Sequence, residues 1–285
     1  MQRLTVALAV IALTVGGCGE WEAGPPGSFV EAGSFVEAGS LTYPRTRHTA
    51  TLLADRRVLV VSGCDGCASA EIWDPLAGTF GPAGSLAEAR YGHTATPLPD
   101  GRVLVVGGRG SSGDRLAPAE VWDPLAGTFG PAGSLAKARE KHTATRLLDG
   151  RVLVIGGSSV ADSYIKLAEV WDPATESFGP AGSLVWRRTD HSATRLLDGR
   201  VLLLGGTWRP AEIWDPVTAS SKQASSLAGA GYGGHTATLL PDGRVLIVGG
   251  GAGSTRVEMW DPALSRPSAA TRVRHPRQTL SGAGG

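Results

Sequence analysis

One phrase recurs five times along the chain, and no other feature constrains its fold as tightly. The cleanest copy reads His-Thr-Ala-Thr from His93, Pro-Asp-Gly-Arg from Pro99 and Val-Leu-Val-Val-Gly-Gly from Val103. After an insert come Ala-Glu-Val-Trp-Asp-Pro from Ala119 and Gly-Thr-Phe-Gly-Pro-Ala-Gly-Ser-Leu from Gly127. The His recurs as His48, His93, His142, His191 and His235, the Trp as Trp73, Trp122, Trp171, Trp214 and Trp260. The period averages about 47 residues, in the range of propellers and solenoids.

Each unit reads as four strands. His-Thr-Ala-Thr alternates polar and small apolar residues, which suits a strand with little room on one side. Asp100-Gly101 supplies the backbone that a tight hairpin needs. Val103 to Val106 is an unbroken apolar run, as in a strand covered on both faces. Ala119 to Trp122 forms a third strand, Asp123-Pro124 turns the chain, and Thr128-Phe129 opens a fourth. So small a sheet cannot bury two apolar faces alone, so neighbouring units must cover them. A ring of such sheets is a β-propeller.

A Gly-Gly ending the second strand, with a Trp in the third about 14 residues on, resembles the Kelch repeat. The surrounding wording is similar to bacterial Kelch-repeat proteins related to the propeller domain of galactose oxidase. The resemblance covers residues 35–265 and implies an all-β propeller of five four-stranded Kelch-type blades. It implies little about activity, because that fold carries enzymes, adhesins and scaffolds alike.

Composition narrows the rest. With 41 Gly and 18 Pro in 285 residues, the chain is rich in turns, as an all-β protein of short strands should be. A formal net charge of +1 argues against a nucleic-acid partner, which calls for a basic stripe. Leu4 to Val15, preceded by Arg3, has the length of a signal-peptide apolar core. Val15-Gly16-Gly17-Cys18 resembles a bacterial lipobox, which implies a signal peptide over 1–17, a lipidated Cys18 and a bacterial cell-envelope location. Residues 18–34 read as a Gly/Pro/Ser-rich tether. Residues 266–285, with four arginines and no acid, read as a disordered or loosely docked basic tail. They are alternatively a decayed sixth unit, since Arg272 and His275 keep the spacing of Arg90 and His93.

Several residues invite chemistry. In blade one Cys64 and Cys67 interrupt the phrase. No helix end is indicated to lower a thiol pKa, and no second cysteine pair exists to complete a zinc site. A disulfide between them is expected in an exported protein. The five histidines and the Glu before each Trp recur once per unit, so the unit requires them; neither set reads as a metal ring or a catalytic carboxylate pair. No copper constellation, nucleophile elbow or phosphate loop is recognisable. No cofactor and no metal are expected.

What remains is a face. Antiparallel order puts the Asp-Gly hairpins and Asp-Pro turns on one side of the disc, and the inserts after Gly-Gly with the inter-blade crossings on the other. Only the second side varies, the usual layout of a binding surface on a repeat scaffold. The non-repeated Tyr164, Lys166, Trp186, Arg187, Trp208 and Arg209 are the candidates there for specificity. Arg45, Arg90, Arg139 and Arg188, each three residues before its His, are candidates either for ligand contact or for a structural role. The expected function is an extracytoplasmic, lipid-anchored, monomeric module that binds a protein or glycan. A carbohydrate-active or oxidative enzyme on the same face, or a passive surface coat, are the alternatives. Finally, Phe35 to Leu41 matches the fourth strand of a unit but precedes the first His, while no fourth strand follows Trp260. The economical expectation is that this N-terminal strand pairs beside Val257 to Trp260 and closes the ring.

Overall fold

The computed structural model describes residues 36–63, 66–206, 209–224, 233–250 and 255–264. The chain divides into two compact units, Met1–Glu37 and Ala38–Gly285. Of the first, only Val36 and Glu37 are described, both exposed. The signal peptide, Cys18, most of the tether and the basic tail therefore lie outside the described residues.

The second unit is a five-bladed β-propeller. Blade one comprises β1 (Thr49–Leu52), β2 (Val58–Val61), β3 (Ser69–Asp74) and β4 (Thr79–Ser85). A short β5 (Arg90–Tyr91) leads into blade two, made of β6 (Thr94–Pro97), β7 (Val103–Val106), β9 (Pro118–Asp123) and β10 (Thr128–Ser134); β8 (Arg109–Gly110), in the insert, pairs with β5. Blade three holds β11 (Thr143–Arg146), β12 (Val152–Ile155), β13 (Ile165–Asp172) and a long β14 (Ser177–Arg188). Blade four holds β15 (His191–Arg195), β16 (Val201–Gly205), β17 (Glu212–Asp215) and β18 (Ser220–Gln223). Blade five has β19 (His235–Leu239), β20 (Val245–Gly249) and β21 (Val257–Trp260). All pairings are antiparallel and sequential within a blade.

The unbroken apolar run of each second strand is explained by packing on both sides. Leu104 and Val106 of β7 pack towards Val152, Val154 and Trp171 of blade three. Val103 and Val105, alternating with them, pack towards Leu59 and Val61 of blade one. Leu153 and Ile155 meet Val201, Leu203 and Trp214 of blade four, and Leu202 and Leu204 meet Val245, Ile247 and Trp260 of blade five. Trp122, Trp171 and Trp214 also donate their indole N–H to an alanine carbonyl in the fourth strand of the preceding blade, Ala83, Ala132 and Ala181, at 3.0–3.1 Å. Blades are thus joined by apolar burial and a directional bond.

The Gly-Gly after each second strand has a steric cause. Gly157 has φ +95°, and a Cβ there would lie 2.6 Å from the Glu140 carbonyl, where the chain crosses from blade to blade. Only glycine fits both the backbone and the approach.

The seam between blades five and one departs from the expectation. The inner strands β1, β6, β11, β15 and β19 lie side by side in succession, but β19 and β1 do not close on one another in that way. Blade five has three strands among the described residues, and Ala38–Leu41 pair with none. The N-terminal segment performs only the half of a fourth strand's role that concerns blade one. The Ala38 carbonyl accepts the Trp73 indole N–H at 2.9 Å, as Ala83 does for Trp122. Thr42 N–H donates to Glu71 Oε2 at 2.8 Å, as Ala87 N–H does to Glu120 at 2.9 Å. These bonds hold the segment on blade one, and among the described residues no fourth strand pairs with β21. Val248 and Met259 of blade five are 43% and 44% exposed.

Candidate functional site

The scaffold beneath the candidate face is a repeated buried ion pair. In blades one to four the arginine three residues before the His reaches the glutamate two residues before the Trp: Arg45 to Glu71, Arg90 to Glu120, Arg139 to Glu169 and Arg188 to Glu212, at 2.5–3.0 Å. All eight side chains are buried. The arginines also donate to the carbonyls of the second and third strands, as Arg139 does to Gly156 and Leu167 at 3.0 and 2.9 Å. The second carboxylate oxygen accepts the N–H of the chain entering from the preceding blade, as Glu169 does from Ala136 at 2.7 Å. Burial lowers the guanidinium pKa of Arg90, Arg139 and Arg188, and the paired glutamate opposes the shift. Arg45, Arg90, Arg139 and Arg188, taken from the sequence as possible ligand contacts, thus lie inside the blades and bind the crossing to the sheet.

The histidines form the matching inner belt. Thr49, Thr94 and Thr143 hydroxyls bond to Nε2 of His93, His142 and His191 at 2.9–3.0 Å, and Ser192 bonds to His235 at 2.7 Å. Each bond runs from one blade to the next. Burial, reinforced by the nearby Arg90, Arg139 and Arg188 cations, pushes the pKa of His93, His142 and His191 down to about 3. They are neutral structural rings.

The non-repeated candidates come together. Tyr164, Lys166, Val185, Trp186, Arg187 and Arg209 line one open pocket of about 380 Å³ on the insert face. The long β13 and β14 of blade three carry Lys166, Val185, Trp186 and Arg187 to the level of the inserts, with Tyr164 just before β13 and Ile165 paired to Arg188. Trp186 is held from below: its backbone N–H donates to Glu212 Oε1 at 3.0 Å, and the Val185 backbone N–H to Glu212 Oε2 at 2.7 Å. The buried Arg188–Glu212 pair of blade four therefore supports the site. Arg209, from the short insert of blade four, lays its guanidinium over the Trp186 ring at 4.4 Å. Stacking of this kind restricts the guanidinium while leaving its N–H donors unused by the ring. Arg187 lies 3.8 Å from Asp162, which also pairs with Lys137.

Three cations, two aromatic rings and one valine thus surround a pocket whose neighbouring acids, Glu212 and Asp162, are already paired. Its chemistry suits an anionic group flanked by an apolar surface. Sequence reasoning missed Val185 and Asp162; Asp162 lies two residues before Tyr164 in the same non-repeated insert, which was the available signal. Trp208 and Cys64 lie outside the described residues; Cys67 is disulfide-bonded. Among the described residues no cluster of three His, Cys, Asp or Glu side chains is placed to hold a metal ion.

Blades, hydrogen-bonded histidine belt and variable insert face together define a β-propeller with a pocket on its variable side. The solved structure of YjhT is similar to it, with a TM-score of 0.59, 16% sequence identity and coverage of 73% of each chain. At that identity the likeness concerns the fold alone. No family model matches the chain, and no curated protein matches it.

Proposed function

We propose that the chain is an extracytoplasmic, lipid-anchored propeller of Kelch type that binds a protein or glycan through its insert face. The observation that carries this reading is the convergence of Tyr164, Lys166, Trp186, Arg187 and Arg209 in one pocket. These residues break the repeat, so the scaffold does not require them. Trp, Tyr and Arg are also the side chains that concentrate binding energy at interfaces. The cations favour a partner that presents a carboxylate, sulfate or phosphate.

The test is a screen of glycans and secreted proteins with the unlipidated chain from residue 19. Hits should be enriched in acidic ligands. Lys166→Ala with Arg209→Ala should weaken them by about tenfold or more, since charge-assisted hydrogen bonds are at stake, and leave the urea midpoint unchanged. Hits that bind the double variant as well as the parent would move the site elsewhere.

Anchoring is tested separately. Cys18 should be the lipidated first residue of the mature chain, and Cys18→Ala should release the protein from the membrane fraction. A mature N-terminus at any other residue by mass spectrometry refutes this part of the proposal.

A further inference from the structure

We propose that the hairpin end of the propeller axis holds a second binding site, one that takes an aliphatic carboxylate. A pocket of about 490 Å³ opens there, within the size range of small-molecule sites. The inner strands β1, β6, β11 and β15 lie side by side, and the pocket is lined by their last residues and the hairpins that follow. Leu52, Pro97, Leu98 and Leu148 supply an apolar wall, Arg146 and Arg195 the charge. Arg146 pairs with Val152 at the hairpin end of blade three, whereas Ile165 pairs with Arg188 at its insert end. This site and the pocket at Trp186 therefore lie at opposite ends of the blades.

The two arginines stand outside the repeat. The fourth residue after the His is Leu52, Pro97, Arg146, Arg195 and Leu239 in blades one to five. Three blades fold with an apolar residue at this position, so the blade does not require a guanidinium. Both arginines are half-buried, and neither pairs with an acid among the described residues. Arg195 makes no side-chain hydrogen bond there, and Arg146 makes one, from Nη1 to the Pro97 carbonyl at 3.0 Å. The hairpin aspartates are engaged elsewhere: Asp55, Asp100, Asp149 and Asp198 each hold the arginine two residues on, at 2.7 Å. Two cations thus face an acid-free pocket.

The lining selects the ligand. Every residue of the wall is Leu, Pro, Ala, Gly or Arg. Its side chains include no hydroxyl, amide, carboxylate or aromatic ring, so sugar hydroxyls and peptide N–H groups would give up water without a side-chain acceptor in return. A carboxylate meets guanidinium donors, which match its geometry and bind it with charge-assisted hydrogen bonds. An aliphatic chain meets the leucines. Leu52 and Leu148 are each 66% exposed, so their apolar surface is open to a ligand. The apolar wall also reduces screening of the charge pair.

The experiment is calorimetric titration of the chain from residue 19, which keeps the second compact unit entire, with decanoate below its micelle concentration. One site is expected. Acetate lacks the chain and decanol lacks the charge, so each should bind about tenfold more weakly or worse. Arg146→Leu with Arg195→Leu should weaken decanoate by about tenfold or more. Leucine is native at this position in blades one and five, so the urea midpoint should hold. Leu148→Glu, at an exposed position, should have the same effect by adding a competing carboxylate to the pocket. Lys166→Ala with Arg209→Ala should leave decanoate binding unchanged. The proposal is overturned if decanoate binds no more tightly than acetate or decanol, or if the double leucine variant binds it as the parent does. Loss of binding in the Lys166 and Arg209 variant would also overturn it, because decanoate would then occupy the other pocket.

Discussion

Acidification from pH 7 to pH 5 is expected to remove much of the stability of the propeller. His93, His142 and His191 have pKa values lowered from 6.5 to about 3 in the folded state, chiefly by burial. In the unfolded chain they return to about 6.5. Between those values the unfolded state takes up more protons, so stability falls as the pH falls. At pH 5 each ring costs about 2 kcal/mol, and the three together about 6. Domains of ordinary stability hold about 5–15 kcal/mol. The nearest cations, Arg90, Arg139 and Arg188, are held by their glutamates and do not move aside for a new charge. Urea unfolding followed by tryptophan fluorescence at pH 7, 6 and 5 should show the midpoint falling steeply below about pH 6.5. In His142→Gln, which keeps an acceptor for the Thr94 hydroxyl, the slope should shrink by about one third. A midpoint that is flat from pH 7 to pH 5 would show that the rings are hydrated and the belt is not closed to water.

The second large effect concerns Glu169. Its carboxylate holds the Arg139 guanidinium on one oxygen and the Ala136 N–H on the other. Glu169→Ala leaves a fully buried cation without its acid and a crossing strand without its acceptor. A loss of about 3–5 kcal/mol is expected. The exposed Asp149–Arg151 pair supplies the internal control, since Asp149→Ala should cost about 1 kcal/mol or less. Arg139→Met combined with Glu169→Leu should recover most of the loss, because the desolvated charge disappears with its partner. If Glu169→Ala costs no more than Asp149→Ala in the same urea titration, the buried pairs are not the clamps described here.

The fold was legible in the repeat because each residue of the phrase has one mechanical task. The apolar run Val152–Ile155 announced a strand packed on both sides, and Trp171 announced an inter-blade wedge; both have those neighbours. The site was legible by subtraction. Tyr164, Lys166, Trp186, Arg187 and Arg209 were singled out because no other blade carries them, and they line one pocket. The arginines three residues before each His were harder, because periodicity alone does not reveal a partner. Yet blades one to four each hold one such arginine and one glutamate before the Trp, and Arg90–Glu120 and Arg139–Glu169 share a separation of 30 residues. Opposite charges repeating in step are the signal that would have joined them. Ring closure was not legible, since it depends on the sum of the inter-blade rotations rather than on any local pattern. The count of strands suggested a closing strand at residues 35–41; Ala38 and Thr42 do dock on blade one, but among the described residues 36–41 none pairs with β21.

The central claim is that the repeats build a scaffold and the residues outside the repeat bind. Hydrogen–deuterium exchange on the unlipidated chain, with and without the tightest hit from the screen, tests it most directly. The account predicts new protection over residues 164–166, 185–188 and the blade-four insert at Arg209, with the hairpins at 53–57, 98–102 and 147–151 unchanged. Protection confined to those hairpins, with none at Trp186 or Arg209, would contradict it.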